Sequence, residues 1–442
     1  MSFMIIDNYK VFFLQLMIVF SPNLLFSQQS IGDTNGITAG KNYRKELEDL
    51  AQQPAIKSAF KTIVELDAET IQNLITLTEI PAPPFKEQKR GDKFKEMIEA
   101  IGADSVWIDK AGNIIALRKG KSGKKTIVVE GHLDTVFPEG TDVTVKHRGD
   151  SLYAPGISDD TRGLTAVLTL LKAMKKAQVK TDANILFVGT TGEEGLGDLR
   201  GVKQLFSGEI PKIDSYIAID GSGLGWIVTT AVGSRRYRVT FKGPGGHSYN
   251  TFGLVNPHNA TARAIHYFIN DADVFTKTGI KTTYNIGVMG GGTSVNAIPF
   301  ESWIEVDMRS ANAQRLDSIE QLFQKAIQRG LKEENQMKRS GSDLTVDIKL
   351  TGERPAGEES ISLPLIQRSI AANEVLGAKV SLSAVSTNAN IPISKGVPAV
   401  CIGAGGESKG NHSLNEWWLN KDGYKGIQQA LLILVAEAGL VK

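Results

Sequence analysis

The sequence predicts an α/β protein whose doubly wound, mainly parallel sheet is interrupted by a smaller inserted domain. Three observations lead there. Between residues 126 and 232, short β-branched apolar runs alternate with stretches of helical spacing, the rhythm of βαβ units whose parallel strands are covered on both faces. Near Gly233 that rhythm gives way to strands and helices in the order βαββαβ, the ferredoxin-like arrangement. After Pro355 the first rhythm returns. A chain of 442 residues also exceeds what one simple core usually holds, so two domains are the default expectation.

Residues 1–27 differ from all that follows. Lys10 precedes the run VFFLQLMIVF and then SPNLLFS, which reads as a secretory signal peptide closed by the small Ser27, and hence as export to a periplasmic or secreted location. An uncleaved anchor fits less well, because Gln15, Ser21, Pro22 and Asn23 break a run already short of the roughly 20 residues that a span needs. Residues 28–40 are polar and contain glycine, a lead-in rather than an element. Leu, Ile, Val and Ala then recur at helical spacing over 42–52, 55–66 and 68–78, until the prolines of IPAPPF stop the helix. A helix over 86–101 ends at Gly102, and strands follow near 106–109, 114–118 and 127–129. Helix 161–177, strand 183–189, helix 199–206 and strands 215–219 and 226–232 complete this part.

The change of rhythm assigns 28–233 and 354–442 to the larger domain and 234–353 to the insertion. The inserted strands fall at 235–241, 282–289, 302–308 and 344–350, with helices over 256–270 and 317–334. The larger domain then closes with helix 362–376, strand 399–402 and helix 421–438.

Composition narrows the function classes. Hydrophobic residues make up 41% and charged residues 22%, which suits an ordinary globular protein and not a disordered or fibrous one. A formal charge of +2 from well-mixed Lys, Arg, Asp and Glu lacks the basic excess of a nucleic-acid surface. With Cys401 the sole cysteine, no intrachain disulfide can form, and any metal would be held by oxygen and nitrogen.

The polar clusters that interrupt apolar runs carry the chemistry. In TIVVEGHLDT the apolar Ile127 to Val129 leads to His132 and Asp134, two residues apart and so on one side of an extended backbone. Polar groups at the C-terminal edge of a buried strand pack badly but face a ligand well. A metal-bound histidine usually donates its other ring N–H to a carboxylate, a role Asp134 is close enough to take. Asp159 and Asp160 in GISDDTRG precede a helix, where either a helix cap or a ligand is the reading. Glu193 and Glu194 in GTTGEEGLGD follow the strand ILFVG, and neighbouring carboxylates repel unless a cation or proton neutralises them or water solvates them. Asp220 follows another strand, in AIDGSG, and His412 in GNHSLNEWW comes after AVCIG. In an open α/β sheet such strand ends converge on one crevice, and these ligand types suit zinc or a related divalent ion.

The segments GHLDTV, GISDD, TGEEGLG, AIDGSG, GPGGHSYN, GGTSVNAIP and NHSLNEW, in this order, resemble the co-catalytic di-zinc exopeptidases that include peptidase T, carboxypeptidase G and acetylornithine deacetylase. The likeness runs from about Leu66 to the C-terminus. It implies a zinc-exopeptidase-like fold whose insertion is a lid that often carries a homodimer interface. It assigns His132 and Asp220 to one Zn2+ and Glu194 and His412 to a second, with Asp159 bridging both, and Co2+ or Mn2+ able to replace zinc. Glu193 matches the general base, which would take a proton from a water shared by the two ions and return it to the leaving amine. The Asp159–Asp160 peptide bond is implied to be cis. His247 on the lid resembles the histidine that reaches the substrate carbonyl, often in the partner's site. Asn296 and Arg309 resemble substrate-contacting lid residues, Arg309 through a substrate carboxylate or, equally, as half of a strand-end salt bridge. The loop GAGG, with Gly405, would bring backbone close to the substrate.

Two departures mark this sequence. Thr161 and Arg162 follow Asp160 where many relatives carry lysine at the first of the two places, which is expected to alter the wall of the site. Position 220 is Asp, as in aminopeptidase-type relatives, which tilts the expectation towards a peptidase T-like enzyme acting on short peptides. An N-acyl amino-acid deacylase or a carboxypeptidase with the same centre is the alternative. GESKG at 406–410 fits the G-x-S-x-G nucleophile pattern, but no histidine lies beyond His412 to complete a triad with Ser408. A metal-bearing binding protein without turnover is disfavoured by Glu193 beside its ligand neighbour.

Overall fold

The strand Thr126–His132 is buried along its whole length and sets the layers of the molecule. Ile127 and Val129 pack into one core and Val128 into another, as the two-residue period of a strand requires. The first core is covered by helices Lys41–Ala51, Pro54–Glu65, Thr161–Lys176, Pro364–Val375 and Tyr424–Ala438. Arg200–Leu205 and Asn390–Ser394 cover the second. These relations come from a computed structural model that describes residues 36–441, and the expected leader at 1–27 lies outside them.

At the centre of the main sheet, Asn184–Thr190, Thr126–His132, Ser215–Ile219 and Ala399–Ile402 lie side by side and parallel. The mainly parallel, doubly wound expectation therefore holds at the core. Its flanks are antiparallel: Ile114–Arg118 beside Asn184–Thr190, and Trp226–Ala231 beside Ala399–Ile402. Ser381–Val385 pairs parallel with Trp226–Ala231 and has no counterpart in the sequence reading. It is half-buried throughout and carries serines, so it lacks the apolar run that marks a central strand.

The insertion forms its own antiparallel sheet in the order Thr282–Gly291, Glu301–Ser310, Gly233–Lys242, Thr345–Arg354. Ser302, Ile304, Val306 and Met308 alternate inward along Glu301–Ser310, under helices Pro257–Thr276 and Ala313–Gln336. Its core is separate from those of the larger domain and centres on Phe241, Phe268 and Phe323. A further small sheet joins Lys146–Arg148, Ser151–Tyr153, Trp417–Leu419 and Glu407–Lys409, drawing together segments far apart in the chain. Among the described residues no helix is long and apolar enough to cross a membrane.

Phe323 is fully buried, with its ring 5.2 Å from that of Phe268 and 5.5 Å from that of Tyr237. Replacing it by alanine leaves a cavity that the surrounding rings cannot fill. Phe323→Ala is expected to destabilise the inserted domain by about 3–5 kcal/mol, read as an early denaturant transition in tyrosine and tryptophan fluorescence.

Candidate metal centre

Three adjacent parallel strands deliver the first groups to one edge of the main sheet. Thr126–His132 ends on His132, Asn184–Thr190 leads into Glu193 and Glu194, and Ser215–Ile219 runs directly into Asp220. Asp159 and His412 arrive differently, which corrects the expectation that every group follows a strand of the main sheet. Asp159 lies in the loop after Ser151–Tyr153, and His412 in the turn between Glu407–Lys409 and Trp417–Leu419, both framed by the small antiparallel sheet. His412 sits at φ 64°, a left-handed backbone rare outside glycine and asparagine, of the kind that clusters at functional sites.

The Asp-Asp pair divides the two readings between its members. Asp160 caps the following helix, accepting the Gly163 N–H at 3.0 Å, and its other oxygen accepts the His132 N–H at 2.9 Å. Asp159 turns the opposite way, into the cluster, and the bond between the two residues is cis, in agreement with the resemblance. Helix and strand meet closely here: a Cβ on Gly163 would lie 2.3 Å from an Asp160 carboxylate oxygen and equally near the Ile219 carbonyl. Only glycine allows that approach.

The Asp159 carboxylate stands between two imidazoles, Oδ1 at 3.1 Å from His132 Nε2 and Oδ2 at 3.1 Å from His412 Nε2. His412 Nε2 also reaches Glu194 Oε1 at 2.9 Å. Candidate ligand atoms fall within 4.8 Å of one another in the sets His132, Asp159, Asp220 and Asp159, Glu194, His412, which share Asp159. A third such set, His132 with Glu193 and Glu194, overlaps the other two.

Protonation follows from this crowding. Burial, then the negative charge of Asp159, pushes the Glu194 carboxyl up to about 7 and holds Asp220 well above the usual carboxylate range. Hydrogen bonds to Asp159 and Glu194 raise His412 to about 11. Burial works against a charged His132, yet its contacts with Asp134 and Asp159 outweigh it and keep the imidazolium well above the ordinary histidine value. Burial also opposes the Asp159 charge, but bonds to His132 and His412 hold that carboxyl low. The cluster therefore draws in protons wherever it can. Divalent cations would replace those protons, and the purely nitrogen and oxygen donors suit zinc, cobalt or manganese. By donor chemistry, charge and spacing, the residues fit a metal site.

Asp134 stands beside the second ring nitrogen of His132, as the sequence suggested, but also does other work. His132 Nδ1 contacts the Asp134 backbone carbonyl at 3.0 Å, while the nearer carboxylate oxygen is 3.6 Å away. The carboxylate accepts the backbone N–H groups of Glu193 at 3.0 Å and Glu194 at 2.8 Å, and so fixes the loop that carries both. The sequence reading missed Glu416 altogether. Its fully buried carboxylate accepts N–H groups from Gly156 and Ser158 at 2.8 Å and Asp159 at 3.0 Å, which sets the Asp159 backbone in place. Burial, then the Asp159 charge, lifts it to about 7. The available signal was its place four residues after His412, one helical or turn repeat away, but nothing separated it from a surface acid.

A cavity of about 800 Å³ opens over the cluster, walled by Asp159, Glu193, Glu194, Asp220 and His412 and, from the insertion, Arg236 and Arg309. Residues 128–435 match the Peptidase family M20/M25/M40. The chain belongs to that family.

Solved structures of similar fold include a tripeptidase from Staphylococcus aureus, 24% identical, with a TM-score of 0.67 over 83% of this chain and 98% of that one. An aminopeptidase PepT from Bacillus cereus is 20% identical, with a TM-score of 0.65 over 83% of this chain and 97% of its own. In sequence, a Pyrococcus abyssi protein assigned as a LysW-lysine/LysW-ornithine hydrolase is 31% identical over 170 residues, 38% of this chain and 45% of that protein. Against such relatives the chain spans about half of their length.

Within this member of the M20 family the remaining expected residues divide. Arg309 lines the cavity, its Nε 2.7 Å from Asp307. His247 and Asn296 are exposed on the insertion, outside the lining: His247 Nδ1 accepts the Tyr249 and Asn250 N–H groups at 3.3 Å, and Asn296 Oδ1 accepts the Ser294 hydroxyl at 2.7 Å. Gly405 is buried behind the site with both backbone groups taken, by Trp418 Nε1 at 3.1 Å and the Gly223 carbonyl at 3.2 Å, so it offers nothing to a substrate. Thr161 and Arg162 form no part of the wall either. Thr161 bonds the Gly156 carbonyl at 2.7 Å, and Arg162 runs inward under Trp418 to the Gly423 carbonyl at 2.8 Å.

Replacing Glu416 with glutamine would set an amide nitrogen against N–H groups that now share a carboxylate. Glu416→Gln is expected to weaken metal affinity about 10–100-fold, measured by competition with a chromogenic chelator.

Proposed function

We infer that this M20 hydrolase is a metal-dependent exopeptidase of short peptides, resembling peptidase T-like aminopeptidases and dipeptidases. The observation that carries the reading is Asp159 between His132 and His412, each 3.1 Å from one of its oxygens, with Glu193 beside the cluster, within 4.8 Å of His132 and paired with Arg354. His132 and Asp220 would hold one Zn2+, Glu194 and His412 the other, and Asp159 both. When bound, such a pair polarises a scissile carbonyl and makes water acidic near neutral pH. Glu193, next to a ligand but not itself one, takes the proton of the attacking water and returns it to the leaving amine. Arg309, which lines the cavity, would pair with a substrate carboxylate.

The neighbouring structures named as a tripeptidase and an aminopeptidase support short peptides as substrates. Position 220 favours the aminopeptidase side. The exposed His247 and Asn296 fit a homodimer formed through the insertion, in which His247 serves the partner's site. Export by the leader belongs to the same proposal.

Glu193→Gln is expected to lower kcat about 10²–10⁴-fold on a tripeptide while the metal content of the protein stays unchanged. Di- and tripeptides with a free α-amine should be turned over faster than N-acetyl or N-succinyl amino acids under zinc, cobalt or manganese. A preference for the acylated substrates would move the assignment to a deacylase.

A further inference from the structure

Two adjacent glutamates leave the strand Asn184–Thr190, and they are held by different domains. Glu194 pairs with His412 inside the cluster, whereas Glu193 pairs with Arg354, the last residue of the closing strand of the insertion. Arg354 Nη1 lies 3.0 Å from Glu193 Oε1 and 3.1 Å from the Ser386 hydroxyl, and Nη2 bonds the Glu193 carbonyl. One guanidinium thus grips both the side chain and the main chain of the same residue. Both partners are about 6% exposed, so water competes little for either.

Two further contacts fix the same strand end, and one fixes the strand beside it, against the segment that follows Glu193. Asp198 accepts the Glu353 N–H at 2.9 Å, Lys203 donates to the Glu353 carbonyl at 2.9 Å, and Arg236 donates to the Gly195 carbonyl at 2.9 Å. The seat of the insertion and the loop of Glu193 and Glu194 are therefore one bonded unit. A glutamate side chain has three soft torsions, and a base misplaced by about 1 Å can lose on the order of a hundredfold in rate. The fork of an arginine removes that freedom in a way that a point charge cannot.

We propose that Arg354 is a positioning residue that ties the orientation of Glu193 to the seat of the inserted domain. The proposal rests on Glu193 as the base. Arg354 also lines the cavity, but both terminal nitrogens of its guanidinium are bonded to Glu193, one of them to Ser386 as well; it sets where the Glu193 carboxylate points, and any shift of the closing strand is passed to that carboxylate.

The test uses the full, zinc-loaded chain and the variants Arg354→Met, Arg354→Lys, Asp198→Ala and Glu193→Gln. Arg354→Met is expected to lose about a hundredfold in kcat with KM within about twofold and full metal content, while amide exchange at 192–198 quickens. Arg354→Lys should recover about tenfold, since lysine restores the charge without the fork. Asp198→Ala, which loosens the strand end but leaves the ion pair, should lower kcat to a smaller degree with KM unchanged; it also decides the matter should Arg354→Met fail to fold. Wild-type kcat in a folded Arg354→Met, a loss confined to metal content or KM, lysine no better than methionine, or unchanged kcat in Asp198→Ala would each overturn the proposal. If Glu193→Gln is inactive while Arg354→Met is not, this inference alone falls. Full activity in Glu193→Gln removes the base assignment beneath it.

Discussion

A single carboxylate shared between two imidazoles is the constraint on which the rest of the site depends. Asp159 touches His132 from the main sheet and His412 from the small antiparallel sheet, so its position is where two separately built parts of the larger domain meet. Everything packed behind it serves that meeting. Glu416 gathers three N–H groups to set its backbone, Asp160 pins the His132 strand to the following helix, and the bare Cα of Gly163 lets that helix approach. Burial, and then the charge of Asp159, raises the pKa values of Glu194 and Asp220, and acidic groups gathered this closely suit divalent cations.

The insertion contributes in a second way, through contact with the loop beside the cluster. Its own aromatic core makes it a separately packed unit, yet its last strand ends in bonds to the loop that carries Glu193 and Glu194. Arg236 and Arg309 face the cavity from the same sheet, joined through Asp307. A wall of acids from the larger domain thus opposes a wall of arginines from the insertion. Under the function proposed above, that polarity suits a substrate with a carbonyl to be attacked at one end and an anionic group at the other.

Much of this was legible in the residues. The alternation of apolar runs gave the parallel centre of the sheet, the βαββαβ order of the insertion is present as read, and His132, Glu194, Asp220, Asp159 and His412 do gather. Local order failed where contacts are distant in sequence. The four strands between 146–153 and 407–419 are three residues each, and two of them carry charges, so their pairing left no periodic trace, and with them went the true route of Asp159 and His412 into the site. Asp134 was placed by its spacing from His132, but its carboxylate answers to N–H groups about sixty residues away. Gly405 lost its expected role to Trp418, and Arg354, 161 residues from Glu193, reads locally as no more than a strand end.

The claim that two cations share Asp159 is tested most directly by anomalous diffraction from crystals grown with zinc. The account predicts two zinc peaks flanking the Asp159 carboxylate, one bonded also by His132 and Asp220 and the other by Glu194 and His412. A single peak that leaves Asp159 unbound, or zinc located only away from this cluster, would contradict it.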